Sequence, residues 1–302
     1  MSTQHEAHET HEVVAVREDR PSIWTALREL SFTQGYIDAG GLRTRYVEAG
    51  PADAPAVVML HGTGGHWETF VRNLGPYSQH FRTIAFDMVG NGFTDRPDYD
   101  YEIPQYVAHV RDTMDALRVD HAHLLGTSLG SWVAAAFALQ FPERVDKLVF
   151  MSTAGLVGTA ENMARIRATR TKAVEDPNWE SIKAMFDHLI ADPSNRLDDL
   201  VSLRQAIYRQ PGMITTMDHT LVLQDAEIRN RNLITPDQWQ AITAPTLTIA
   251  SGQDVSEYTN TSRQVAELMP NARVVEMAAV KHWPHFEDAD LFNEVSLEFL
   301  LS

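Results

Sequence analysis

The chain has 302 residues, 44% of them hydrophobic, no cysteine and a formal net charge of −16. That size supports one large domain with a small helical insert. The acidic balance argues against nucleic acid or an anionic membrane as partner, and the lack of cysteine excludes a disulfide scaffold or a thiolate metal site and suits a reducing cytoplasm.

Residues 1–20 are polar, with His5, His8 and His11 spaced among glutamates. The spacing is His-Glu-x-His, not the His-Glu-x-x-His of zinc hydrolases, so this segment reads as a polar tail with no metal. It lacks a signal-peptide pattern, and no apolar run in the chain approaches the roughly 18 residues that span a bilayer. Residues 23–30 carry apolar positions at helical spacing, a short helix that caps the domain or meets another subunit of a homo-oligomer.

Residues 35–37 and 42–48 then read as a hairpin turning at Gly40-Gly41. Buried strands are predicted at 56–60, 82–86, 122–125, 147–151, 245–250 and 273–277, where apolar and β-branched residues run together. Helical patterns lie between them, at 106–117, 131–140 and 261–268. Strands alternating with helices predict an α/β fold. Residues 156–240 break the rhythm: helical patterns divided by Pro177, Pro193, Pro211 and Pro236, with no strand signal. The expected organisation is a tail and short helix (1–34), a core in two parts (35–155 and 241–302), and a helical lid (156–240) inserted after the sixth strand.

Gly126-Thr127-Ser128-Leu129-Gly130 fits Gly-x-Ser-x-Gly between a strand and a helix, the turn that lifts a serine hydroxyl off the end of a sheet. A serine hydroxyl needs a base, and His282, after the last strand, is the candidate, with His285 as its rival. The base needs an acid, and Asp254 lies just past the strand at 245–250, with Glu257 on the same loop. The order serine, acid, histidine is that of the α/β-hydrolases. Backbone donors for an oxyanion are expected from Leu129 and from Thr63 or Gly64, in the loop His61-Gly62-Thr63-Gly64-Gly65. Asp87, after the fourth strand, reads as a turn residue bonding backbone amides.

These residues resemble the α/β-hydrolase superfamily over about 35–302. That resemblance implies a mostly parallel eight-stranded sheet flanked by helices with a helical lid. Within the superfamily, His282-Trp283 with Glu287, and the stretch from Leu200 to Gly212, are similar to the hydrolases of meta-cleavage products. Those enzymes cleave a carbon–carbon bond in 2-hydroxy-6-oxo-hexa-2,4-dienoates. The resemblance implies that Arg204 grips the substrate carboxylate and that Trp283 packs beside the substrate. It also implies ketonisation of the dienol, attack of Ser128 on the C6 ketone, and hydrolysis of the resulting acyl-enzyme, without cofactor. The chain departs from the family at Thr127, usually Asn, at Lys281, usually Gly, and at Ser251, where Gly usually precedes the acid by three residues. A carboxylesterase or lactonase would use the same triad. A cofactor-independent dioxygenase would use His282 without Ser128, and a ligand-sensing receptor would turn over slowly.

Overall fold

A computed structural model describes residues 21–302. Its sheet has eight strands: β1 (Phe32–Ala39), β2 (Leu42–Ala49), β3 (Ala56–Leu60), β4 (Arg82–Phe86), β5 (Ala122–Thr127), β6 (Val145–Met151), β7 (Thr246–Ser251) and β8 (Ala272–Met277). The spatial order is β1-β2-β4-β3-β5-β6-β7-β8. β2 runs antiparallel to both neighbours, and β3 to β8 are parallel. The β1–β2 turn sits on Gly40 and Gly41, both at positive φ (63° and 87°), as a two-residue hairpin turn requires.

Burial follows position in the sheet. Every residue of β3, β5 and β7 is buried, because helices cover both faces. Their side chains divide with period two. Val57, Met59 and Leu125 join one apolar layer, and Val58, Leu60 and Leu124 the opposite one. The edge strands β1 and β8 keep many residues exposed.

Between β6 and β7 the chain is helical: Ala160–Glu175, Trp179–Phe186, Asp198–Tyr208, Met213–Thr220, Ala226–Asn232 and Pro236–Ala241. Pro177 and Pro211 fall in breaks between helices, and Pro236 opens the last one behind a Thr235–Gln238 capping box. Phe186, Leu200 and Val201 bury their side chains in the layer that contains Val57 and Leu125, which seats the insert on the core. The helix expected over 23–30 is shorter, Ile23–Leu27, and is followed by a turn in which Leu30 N–H donates to Leu27 O at 3.0 Å while the Leu30 side chain packs against the core. The helix expected at 261–268 begins earlier, at Ser256. Among the described residues no helix is long and apolar enough to cross a membrane, and no three His, Asp or Glu side chains gather as a metal site. His5, His8 and His11 lie outside the described residues.

Candidate active site

The four parallel strands β5 to β8 end side by side, and each hands one residue to a common region above their carboxyl ends. Ser128 follows β5 directly. It has φ 54°, rare for a residue with a side chain, and its N–H donates to Met151 O at 2.9 Å, which ties the turn to the end of β6. The crowding below it explains the glycines. A methyl on Gly130 would lie 2.1 Å from Leu60 O, and one on Gly126 would lie 2.4 Å from Gly130 O. The helix Leu129–Gln140 starts at this turn, so its positive end and the Leu129 N–H face the space above Ser128.

Asp254 leaves the end of β7 and His282 the loop after β8. Gly252 N–H donates to Met277 O and Gln253 N–H to Val280 O, both at 2.9 Å, which locks these two loops together. His282 Nδ1 meets Asp254 Oδ2 at 2.9 Å. Burial works to raise the Asp254 pKa. The charge and hydrogen bond of His282, with donors from Ser152 and the Val255 amide, outweigh it and hold the carboxyl below its ordinary value. Ser152, itself at φ 46°, donates from Oγ to Asp254 Oδ2 at 2.8 Å and lies 3.0 Å from His282 O. Tyr258 stacks edge-on against the His282 ring at 4.6 Å.

Ser128 and His282 line one cavity, each 8% exposed. Their side chains are not hydrogen-bonded to each other, a contact that is often long before substrate binds. Thr63, Tyr258, Leu189 and Trp283 also line it. Gly64 N–H donates to Asn91 Oδ1 at 3.1 Å, so that amide is already engaged.

The rival residues lie elsewhere. His285 is fully buried against Phe70, Trp283 and Phe292, neither ring nitrogen has a partner among the described residues, and burial pushes its pKa down to about 3. Glu257 turns away from His282. It accepts from Thr159 N and Oγ1 (2.8 and 2.6 Å) and from Asn162 Nδ2 (2.9 Å), and so anchors the first helix of the insert. Asp87 accepts from the amides of Trp67 and Phe93, both at 2.9 Å, and from Arg45 Nε at 2.7 Å.

The wall facing Ser128 carries arginine. Arg204, on the helix Asp198–Tyr208, is 1% exposed, and among the described residues Nε, Nη1 and Nη2 have no hydrogen-bond partner. Its guanidinium lies 5.1 Å from the Phe186 ring centre and 5.8 Å from that of Trp283. Burial lowers its pKa to about 10, which leaves it charged at neutral pH. Trp283 therefore packs in the core, edge-on to Phe186 at 5.7 Å, while also bordering the cavity. Sequence reasoning missed three neighbours. Ser152 bears the hydroxyl that reaches Asp254, and Arg165 and Arg170 line the same cavity from the helix Ala160–Glu175. Ser152 could have been sought at the end of β6; the arginines carry no local signal that sets them apart from solvated helix charge.

A parallel sheet with a strained serine turn after β5 and an aspartate–histidine couple after β7 and β8 defines the α/β-hydrolase class. A family model of the alpha/beta hydrolase fold matches residues 55–289. A 2-hydroxy-6-oxo-6-phenylhexa-2,4-dienoate hydrolase of Burkholderia cepacia is 30% identical over 253 residues, covering 81% of this chain and 87% of that protein. A 2-hydroxy-6-oxononadienedioate/2-hydroxy-6-oxononatrienedioate hydrolase of Comamonas testosteroni is 32% identical over 257 residues, 82% of this chain and 88% of its own length. Among solved structures, a meta-cleavage product hydrolase of Pseudomonas fluorescens IP01 superposes with a TM-score of 0.76 at 28% identity, covering 90% of this chain and 98% of that one. The chain belongs to the alpha/beta hydrolase family and, within it, to the hydrolases of meta-cleavage products.

Proposed function

We propose that this hydrolase cleaves the carbon–carbon bond between C5 and C6 of a 2-hydroxy-6-oxo-hexa-2,4-dienoate, with Ser128 as nucleophile, His282 as base and Asp254 as the acid that orients it. The observation that carries this reading is the buried, unpartnered guanidinium of Arg204, in the same cavity as Ser128 and His282. A buried cation without a partner is costly, and a substrate carboxylate supplies one. A cytoplasmic setting suits a chain without cysteine.

The chemistry balances as follows. The 2-hydroxyl loses its proton and C5 gains one, which converts the dienol to the diketo form. His282 takes the Ser128 proton as Oγ attacks the C6 ketone. The oxyanion is held by Leu129 N–H and by Thr63 N–H, which is preferred because the Gly64 amide already serves Asn91. The C5–C6 bond breaks, its electron pair passes into the dienolate, and that fragment takes the proton held on His282 and leaves as a 2-hydroxypenta-2,4-dienoate, which returns His282 to its neutral form. Water, deprotonated by His282, then releases the acyl group as a carboxylic acid. Asp254, kept ionised by its donors, stabilises the imidazolium at each transfer.

The test is loss of the visible absorbance of ring-fission dienoates on incubation with the wild type and with Ser128→Ala. Bleaching by the wild type that is abolished in the variant supports the reading. Bleaching that survives in Ser128→Ala points to chemistry on His282 alone, and brisk ester hydrolysis without bleaching overturns the carbon–carbon assignment.

A further inference from the structure

The two ends of the peptide unit that joins Ser128 to Leu129 have different surroundings. Its N–H, the first of the helix Leu129–Gln140, has no acceptor inside that helix and faces the space above Ser128. Its C=O is held by three donors: Ser131 N–H at 2.9 Å, Trp132 N–H at 3.2 Å and Ser131 Oγ at 2.6 Å. The first two are the ordinary bonds of a helix start. The third comes from a fully buried side chain in the first turn. Ala154 N–H donates to the same hydroxyl at 3.0 Å. An amide N–H can only donate and a carbonyl only accept, so the Ser131 proton points at Ser128 O. A hydroxyl satisfied on both sides can stay buried without penalty. Ala154 lies where the chain enters the insert. Beside it, Gly155 O accepts from Ile234 N–H at 2.8 Å, where the chain returns, and Trp132 Nε1 donates to Asn232 O at 3.2 Å. The first turn of the helix after Ser128 therefore holds the nucleophile's peptide and both ends of the insert with one set of bonds.

We infer that Ser131 is a positioning residue for the oxyanion hole: its hydroxyl grips the carbonyl end of the Ser128–Leu129 peptide and so fixes where the N–H end points. A trans peptide is planar, with C=O and N–H on opposite sides, so a carbonyl held in place sets the direction of the amide. A donor on the carbonyl also polarises the unit and strengthens its N–H as a donor in turn. That amide is worth most when negative charge develops on the reacting oxygen, so the effect falls on the transition state and not on substrate binding. The inference rests on the reading of Ser128 as nucleophile and not on carbon–carbon cleavage, since ester hydrolysis would need the same amide.

Ser131→Ala tests this beside Ser131→Cys, which nearly keeps the size and replaces the hydroxyl by a weak donor. Two rates are read. One is dienoate hydrolysis. The other is modification by an alkyl fluorophosphonate, in which Ser128 Oγ bonds to phosphorus, fluoride leaves with the serine proton, and the phosphoryl oxygen takes the place of the oxyanion. Ser131→Ala should lower kcat and the modification rate alike by about tenfold, less than the roughly hundredfold that loss of a whole oxyanion donor costs, with KM changed by less than about twofold. Ser131→Cys should fall between Ser131→Ala and the wild type, and it decides by the same two rates should Ser131→Ala not fold. Unchanged rates overturn the proposal. So does a KM that rises as far as kcat falls, which would mean that the cavity as a whole has shifted. A wild type that the fluorophosphonate does not modify rejects Ser128 as nucleophile and the role of Ser131 with it, whereas a wild type modified no faster than Ser131→Ala rejects the role of Ser131 alone. Slower modification of Ser131→Ala, with no dienoate cleaved by any form, retains the proposal and rejects the carbon–carbon reading.

Discussion

Ser152 Oγ donates to the same oxygen of Asp254, Oδ2, that His282 Nδ1 meets: 2.8 Å for the serine and 2.9 Å for the histidine. The aspartate is thus oriented by two donors at once, with the Val255 amide on its other oxygen at 2.8 Å. Ser152 does not line the cavity; under the proposed mechanism it positions the carboxylate that orients the base.

Ser152→Ala should lower kcat by about tenfold with a smaller change in KM, the usual cost of losing one hydrogen bond to a charged partner. The Ser152 hydroxyl favours the ionised carboxyl, so its removal raises the Asp254 pKa. The acid limb of the pH–rate profile should move to higher pH. A profile with an unmoved acid limb would reduce Ser152 to a packing role.

Glu257→Gln should loosen the insert without touching the couple. The carboxylate satisfies Thr159 and Asn162 at the start of the helix Ala160–Glu175, with Arg229 Nη2 at 3.7 Å. Losing it costs about 1–3 kcal/mol locally. Faster amide exchange across residues 160–175, with KM rising more than kcat falls, is the expected result. Unchanged exchange there would show that the apolar contacts of Phe186, Leu200 and Val201 hold the insert on their own.

Buried neutral histidines should make the fold acid-sensitive. Burial lowers the pKa of His61 to about 4, and those of His109 and His285 to about 3. Unfolded histidine titrates near 6.5, so below that pH the unfolded state binds more protons than the folded one. The stability these groups contribute is present above about pH 6.5 and is lost as pH falls toward their folded values. Denaturation midpoints should drop between pH 7 and pH 5. His285→Phe should reduce the proton uptake on unfolding by about one and keep hydrolytic activity. Loss of activity with an intact fold would instead return His285 to consideration as the base.

Gly130→Ala is expected to be the most damaging small change near the site. Its methyl would press on Leu60 O at 2.1 Å, a backbone atom of a central strand that cannot move aside. A cost of about 3 kcal/mol or more is expected, seen as a lowered melting temperature or insoluble protein. A variant as stable as the wild type would mean that β3 and the helix after Ser128 can separate.

The sequence alone determined the central strands, the serine turn and the order Ser128, Asp254, His282. Strands covered on both faces must be apolar throughout, as at Ala56–Leu60, and a turn that presses helix against strand must have glycine at 126 and 130, so these constraints are local and legible. Tertiary structure decided what lies across the cavity and who supports whom. The helix Ala160–Glu175 is largely polar around its circumference, and nothing in its periodicity tells inward Arg165 and Arg170 from outward Arg167. The Gly64 amide is taken by Asn91, 27 residues away, and Asp254 is held by Ser152, 102 residues away. Whether a charged or hydroxyl side chain is buried, and against which partner, depends on the elements that pack over it, and that packing is a property of the whole chain.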